Sequence, residues 1–364
     1  MSASSEVDLG ARVKAKARAL GFDAVGFARA DVALDVDHAR YEAFLADGMH
    51  GTMQYLADAA SVRRRVDTAD ILAGARTVIS VARRYRRDPA SESADPPIAR
   101  GVARYARGHD YHNVVRKKLR RLAAFVRTLG SGSHPVTARP ILDDAPVLER
   151  AWASRAGLGF VGKNGLLIVP GEGSFVLLGE VVTTLALPPD TPMTERCGTC
   201  TRCLDACPTQ AFARPFVLDA RRCVAYLTIE LRGPVPEELR AGVGEHLFGC
   251  DDCQTVCPFN GSSRPRDAAS TRTFEPLPMW QGLTEEALLG LGEASFRALA
   301  EGSPVQRAGR EGMARNAALV LGNRRDARSR DALVGAAEGD ACEGVREAAR
   351  WALERLLEAD ELVP

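Results

Sequence analysis

Eight of the nine cysteines fall between residues 197 and 257, and their spacing is that of an electron carrier. They run Cys197-x-x-Cys200-x-x-Cys203-x-x-x-Cys207-Pro208, then Cys223, then Cys250-x-x-Cys253-x-x-x-Cys257-Pro258. Two-residue gaps let a tight loop offer three thiolates to one [4Fe–4S] cube. The three-residue gap and the proline send the fourth toward a second cube, as in bacterial ferredoxins. The spacing predicts that Cys197, Cys200 and Cys203 share a cluster with Cys257, and that Cys223, Cys250 and Cys253 share one with Cys207. Structural zinc would need neither the third cysteine of each run nor both Cys-Pro pairs. Disulfides are a weaker reading still, because no secretory signal is evident. Clusters deliver electrons singly, so another part of the chain must receive them.

The elements that position this centre follow from composition and pattern. A chain of 364 residues with 46% hydrophobic and 26% charged residues has room for two or three globular domains. No window resembles a membrane span, and Met-Ser-Ala-Ser-Ser-Glu-Val-Asp has no basic or apolar leader, so a cytoplasmic protein is expected. A net charge of +1 does not advertise a nucleic-acid partner, although a basic face can exist on a neutral chain. Cys342, outside the pattern, reads as a small buried hydrophobe.

In order, the patterns predict a helix over 8–20, a strand over 22–27, a helix over 38–58 broken at 48–51, a buried strand over 75–82 and a mobile loop over 87–97. After Asp110-Tyr-His112 comes an amphipathic helix. Val115, Leu119, Leu122, Val126 and Leu129 share one face, and Arg116, Lys117, Lys118, Arg120 and Arg121 cover the others, a solvated surface or a nucleic-acid contact. A strand over 136–142, a helix over 146–156 and strands over 166–169 and 175–187 follow. Gly157-Leu-Gly-Phe-Val-Gly162 lies between helix and strand, the wrong order for a dinucleotide-binding fingerprint, which leaves close approach to a large ligand as its use. From 284 on the chain reads as helical. Arg315-x-Ala317-Ala318 repeats as Arg346-x-Ala348-Ala349, a HEAT-like pair, and Arg307, Arg310, Arg315, Arg324, Arg325, Arg328 and Arg330 point to a polyanion. The expected architecture is multidomain α+β: an N-terminal α/β domain over 1–190, a ferredoxin-like domain over 191–265 and helical repeats over 266–364.

Tyr105-Ala-Arg-Gly-His-Asp-Tyr-His112, Asp143-Asp144-Ala-Pro-Val-Leu-Glu149-Arg150 and Ala156-Gly-Leu-Gly-Phe-Val-Gly-Lys163-Asn164, in order with the cysteines and the helical repeat, resemble epoxyqueuosine reductases from about Leu9 to Leu357. The resemblance implies a cobalamin enzyme with two [4Fe–4S] clusters. Such an enzyme reduces epoxyqueuosine at the wobble position of tRNA to queuosine, with the N-terminal domain holding the corrinoid and the repeats meeting tRNA. It also implies base-off cobalamin without a protein histidine ligand. Asp110-x-His112 only partly matches the histidine-ligand motif, since Val115 replaces its glycine. Reducing the epoxide to an alkene takes two electrons and two protons and releases water, so a general acid is required. The family's acid maps to Asp143, which burial beside the corrin should keep protonated; Asp144 is then left to cap the helix near Pro146. The resemblance further places Arg65, Arg150, Asn164, Leu167 and Leu178 in the corrinoid pocket. It places Thr209, Asp251 and Asp252 where the clusters meet it. A monomer served by a separate electron donor is expected. The competing expectation is a cobalamin-dependent reductive dehalogenase of a small molecule, against which stand the missing twin-arginine signal and the helical repeats.

Overall fold

The computed structural model describes residues 3–261 and 272–360. Strands β1 (Ala24–Arg29), β2 (Thr77–Arg84), β3 (Ala138–Ile141), β4 (Phe160–Val161), β5 (Leu167–Ile168) and β6 (Val176–Thr183) lie in the N-terminal half. Four of them form one sheet in the order β1-β2-β6-β3, and β4 pairs with β5. Every ladder is antiparallel, so the N-terminal unit is α+β and not the α/β unit expected.

Strand alternation sends successive side chains to opposite faces. Ile79, Val81 and Val181 pack with Val13 and Ala17 of the Ala3–Ala19 helix and with Val115, Leu119, Leu122 and Val126 of the Tyr111–Arg127 helix. Val78, Ala82 and Val182 face the other way, onto Trp152 and Ala153 of the Glu149–Arg155 helix. The sheet is thus sandwiched between helices, and its loops at the start of both the Tyr111 and the Glu149 helices come to one rim.

Two local expectations change. The 87–97 stretch contains the short helices Pro89–Ser93 and Pro97–Arg100, and within it the buried Asp95 binds both Arg87 at 2.5 Å and Arg107 at 3.0 Å. A charge pair buried this well fixes a segment whose composition alone reads as a loop. The glycines at 157 and 159 serve the chain itself. Gly157, at φ 73°, ends the preceding helix, and a Cβ on Gly159 would lie 2.1 Å from the Ile168 carbonyl oxygen.

The helices Gly309–Arg324, Arg330–Gly339 and Glu343–Asp360 pack on one another, and Ala317, Ala318, Ala348 and Ala349 are all buried between them. One apolar cluster joins these helices to Leu227, Leu239 and Phe248 of the cysteine-bearing segment and to Ile98 and Val102 of the N-terminal half. The expected boundary between 265 and 266 lies outside the described residues. No helix among the described residues is long and apolar enough to cross a membrane.

Candidate functional site

All eight patterned cysteines are free thiols. Cys197, Cys200, Cys203 and Cys257 line one cavity of about 130 Å³. Burial, and then the other thiols of the set, raise the pKa of Cys203 and Cys257. The second set converges in the same way. Burial dominates at Cys223, Cys250 and Cys253, and Cys207 adds to the effect at Cys223 and Cys253. Buried thiols resist ionising alone, and bound iron supplies the positive charge that makes thiolates stable there. Backbone N–H groups already face the sulfurs, Ala211 to Cys207 Sγ at 3.2 Å and Asp252 to Cys250 Sγ at 3.5 Å. The donor set therefore fits a double-cluster centre, with Cys257 on the cavity of Cys197, Cys200 and Cys203.

The other expected residues divide. Asn164 is buried; its Oδ1 accepts from the Leu166 N–H at 3.2 Å, while its Nδ2 has no protein partner. That orphaned donor beside the first cysteine cavity is what a ligand amide or carbonyl would satisfy. Arg150 donates to the Gly165 carbonyl in the same loop. Leu178 is half-buried on β6, whereas Leu167 is sealed in the core. Arg65 is held by Asp67 through two bonds at 2.8 and 2.6 Å. Thr209 is buried with its Oγ1 3.8 Å from Cys207 Sγ. Asp251 is buried and receives both the N–H (2.9 Å) and the guanidinium (3.1 Å) of Arg104, and Asp252 meets His246 at 3.0 Å.

Asp143 stands at the rim, on the turn between β3 and the Glu149–Arg155 helix, in a left-handed conformation with φ 51°. Its side chain is 60% exposed. Tyr111 donates to Asp143 Oδ2 at 2.8 Å, the Asp143 N–H donates to Glu149 Oε1 at 2.9 Å, and His112 Nε2 lies 3.8 Å from Oδ2. Burial and then the Asp143 carboxylate push the Tyr111 phenol far up, so it remains a donor. The carboxyl that enclosure raises is Glu149, to about 7, with Asp143 adding to the effect. Asp144 does not cap the helix. Its Oδ1 accepts from the Leu142 N–H at 3.0 Å, its Oδ2 meets Arg116 at 3.2 Å, and the helix begins only at Glu149.

Sequence reasoning passed over Arg104, Tyr111, His112, His246 and Glu149 as working groups. Most of them lie inside the blocks that carry the resemblance, and their density in so short a stretch was the available signal. The arginines of the C-terminal helices read as a polyanion surface are largely committed within the chain. Arg307 pairs with Glu230, Arg310 with Asp340, Arg324 with Glu285 and Glu245, and Arg325 with Glu358, while Arg315 is buried.

Comparison with known proteins bears directly on this arrangement. Residues 196–260 match the family described as 4Fe-4S double cluster binding domain, and residues 65–143 match Epoxyqueuosine reductase QueG, DUF1730. An epoxyqueuosine reductase of Xanthomonas campestris pv. campestris is 41% identical over 350 residues, covering 95% of this chain and 96% of the relative. One from Gloeobacter violaceus is 44% identical over 318 residues, covering 86% of this chain and 95% of the relative. A crystal structure of epoxyqueuosine reductase with an epoxyqueuosine-modified tRNA-Tyr stem loop superposes with a TM-score of 0.83 at 30% identity, covering 98% of this chain and 92% of that one. Similarity of this extent, running through both the Asp143 rim and the crossed cysteines, makes the chain a member of the epoxyqueuosine reductase family.

Proposed function

We propose that this chain reduces epoxyqueuosine to queuosine at the wobble position of tRNA, with Asp143 as the proton donor. The observation that carries the reading is the segment from Arg104 to His112. At one end Arg104 binds Asp251, between two cluster cysteines; at the other, Tyr111 binds Asp143. Electron supply and proton supply are thereby held by one short piece of chain.

When bound, two [4Fe–4S] clusters and a cobalamin supply two electrons to the substrate. The eight cysteines hold the clusters, and Asn164, Arg150 and Leu178 line the corrinoid side. Leu167 would support that wall from the core. Asp143 does the acid chemistry. Tyr111 holds the carboxyl through Oδ2 and orients it, and the carboxyl proton passes to the epoxide oxygen as its carbon–oxygen bond breaks. Two electrons and two protons convert the epoxide to an alkene and release water.

The substrate contact lies on the N-terminal unit and on the helical C-terminal unit. Lys117, Arg120 and Arg121 are exposed on the Tyr111–Arg127 helix with no carboxylate partner among the described residues, and that helix starts at the Asp143 rim. They are better placed for phosphates than the paired arginines of the C-terminal helices, whose HEAT-like stack supports the tRNA beyond the loop. The protein works as a cytoplasmic monomer and takes electrons from a separate donor.

The test is anaerobic reconstitution with iron, sulfide and cobalamin, incubation with reductant and tRNA carrying epoxyqueuosine, and mass analysis of the digested nucleosides. Cobalamin-dependent loss of one oxygen from the wobble nucleoside is expected, and Asp143→Asn should abolish it while retaining the corrinoid. No conversion by fully loaded protein, or full turnover by Asp143→Asn, would overturn the corresponding part of the reading.

A further inference from the structure

We propose that His112, oriented by Asp110, is a proton relay that recharges Asp143, so that one carboxyl delivers both protons of the reduction. This rests on the reading of Asp143 as the donor and adds the source of its second proton. The reaction consumes two protons, one at each carbon–oxygen cleavage, and of the two exposed rim carboxyls Asp144 is paired with Arg116 at 3.2 Å, which leaves Asp143 to serve both. After the first cleavage Asp143 is a carboxylate and must be reprotonated before the second bond breaks.

Two groups converge on its Oδ2: the Tyr111 hydroxyl at 2.8 Å and His112 Nε2 at 3.8 Å. The tyrosine is a fixed donor that keeps its proton. The histidine can give one up. Its Nδ1 lies 2.8 Å from Asp110 Oδ1, which also accepts the His112 backbone N–H at 2.9 Å. A carboxylate only accepts, so Nδ1 carries a hydrogen and the neutral ring has its lone pair on Nε2. The imidazolium therefore directs its Nε2–H at Asp143. Transfer breaks that N–H bond and forms the Asp143 O–H bond, and it leaves a neutral ring that Asp110 still holds.

The ring is fixed for this task. It stacks on Tyr111 with centroids 4.2 Å apart, and Asp110 caps the helix and is itself held by its N–H to the Gly302 carbonyl at 2.8 Å. The charged groups facing His112 are Asp110, Asp143 and Arg116, and Arg116 is paired with Asp144. The bond to Asp110 first, and then both carboxylates, hold the imidazolium above its ordinary range against burial. With a third of its side chain exposed, the ring takes up its proton from water between turnovers. A separation of 3.8 Å closes to hydrogen-bond length by a sub-ångström shift once substrate seals the rim.

The experiment uses the holoenzyme with both clusters and the corrinoid verified in each variant. Single-turnover conversion is measured from about pH 6 to about pH 9 for wild type and His112→Gln. The wild-type advantage should be at least about 10-fold at the acid end and shrink toward none as the imidazolium deprotonates. Added imidazole should restore turnover in His112→Ala. A second readout is ethoxycarbonylation of the neutral ring by diethyl pyrocarbonate, located by mass spectrometry. Its pH midpoint should lie above that of a free histidine and fall in Asp143→Asn. If Asp143→Asn is inactive and the His112→Gln deficit is the same at every pH, His112 is structural and the relay is wrong. If Asp143→Asn turns over, the donor assignment itself is wrong.

Discussion

Asp143 is held in its left-handed turn by Glu149: the Asp143 N–H donates to Glu149 Oε1 at 2.9 Å, across a residue at φ 51°. A non-glycine residue there costs on the order of 1 kcal/mol, so the turn persists because a neighbouring acceptor and the Tyr111 hydroxyl define it. The carboxyl proposed as proton donor is positioned by backbone strain that a second carboxyl offsets.

That second carboxyl gives a pH signature. Glu149 is raised to about 7 in the folded chain from an ordinary 4.5, first by enclosure and then by Asp143. Between those values the native state keeps a proton the unfolded chain has lost, so this contribution to stability falls as pH rises from about 4.5 to 7. Glu149→Gln keeps an acceptor for the Asp143 N–H and removes the titration. It should melt higher than wild type at pH 8, by a stability difference on the order of 1 kcal/mol, and show much less gain at pH 5. Equal differences at the two pH values would refute the assignment.

Glu180 lies deeper on the same side of the sheet. It is fully buried opposite Ser80, neither carboxylate oxygen has a partner, and burial pushes its pKa well up. It is expected to be a neutral acid at pH 7. Difference infrared spectra against Glu180→Gln should show the carbonyl stretch of a protonated carboxyl, and the substitution should change stability by less than about 1 kcal/mol. Detection of an ionised carboxylate at this position would contradict the expectation.

The crossed ligation predicted by the cysteine spacing can be tested one cluster at a time. Cys257→Ser should impair the cluster of Cys197, Cys200 and Cys203, and Cys207→Ser the cluster of Cys223, Cys250 and Cys253, although each cysteine lies in the other run. Iron content and the electron paramagnetic resonance of the reduced proteins distinguish the outcomes. Paired with Cys200→Ser, Cys257→Ser should lose no further cluster; loss of both would show that each run closes its own.

Charge reversal on the rim helix tests the substrate path. Lys117, Arg120 and Arg121 are exposed and unpaired among the described residues, so their joint replacement by glutamate would remove the proposed phosphate contacts without breaking ion pairs there. Affinity for the anticodon stem loop should fall, and the dependence of log affinity on log salt should flatten by about 2 to 3. An unchanged salt slope would move the contact elsewhere.

How far the sequence could be read follows the range of the interactions. The double-cluster segment was legible because cluster geometry is encoded in short spacings. The Tyr111–Arg127 helix was legible because its apolar stripe at Val115, Leu119, Leu122 and Val126 is buried as the period requires. The antiparallel sheet was not, because β6 pairs with strands about 100 and 40 residues away, and buried strands carry no direction in their pattern. The 87–97 segment was misread because its order comes from Arg107, outside the segment. Asp143 was found by resemblance, but its exposure and its hold on Glu149 depend on a turn that no local propensity specifies.

Arg315 shows the same limit and gives the last prediction. By sequence it belongs to a basic surface; in the fold it is 2% exposed and donates to the carbonyls of Leu227 (2.5 Å), Leu231 (2.9 Å) and Gly233 (2.7 Å). Burial lowers its pKa to about 10, still charged at neutral pH. The neighbouring Asn316 donates to the carbonyls of Thr228 at 2.8 Å and Leu247 at 2.9 Å. Two side chains of the Gly309–Arg324 helix thus tie down the stretch between Cys223 and Cys250. Replacing Arg315 by methionine fills similar space but strands the buried Leu227 carbonyl and removes the part-buried bonds to Leu231 and Gly233, each bond worth about 1 kcal/mol or more. Arg315→Met should lower stability by roughly 3 kcal/mol and shed iron from the Cys223–Cys250 cluster before the other. Arg325→Met, at the end of the same helix, removes only a 3.4 Å surface contact with Glu358 and should cost no more than about 0.5 kcal/mol. If the two variants melt alike and lose iron alike, the helix is not what holds the second cluster's loop.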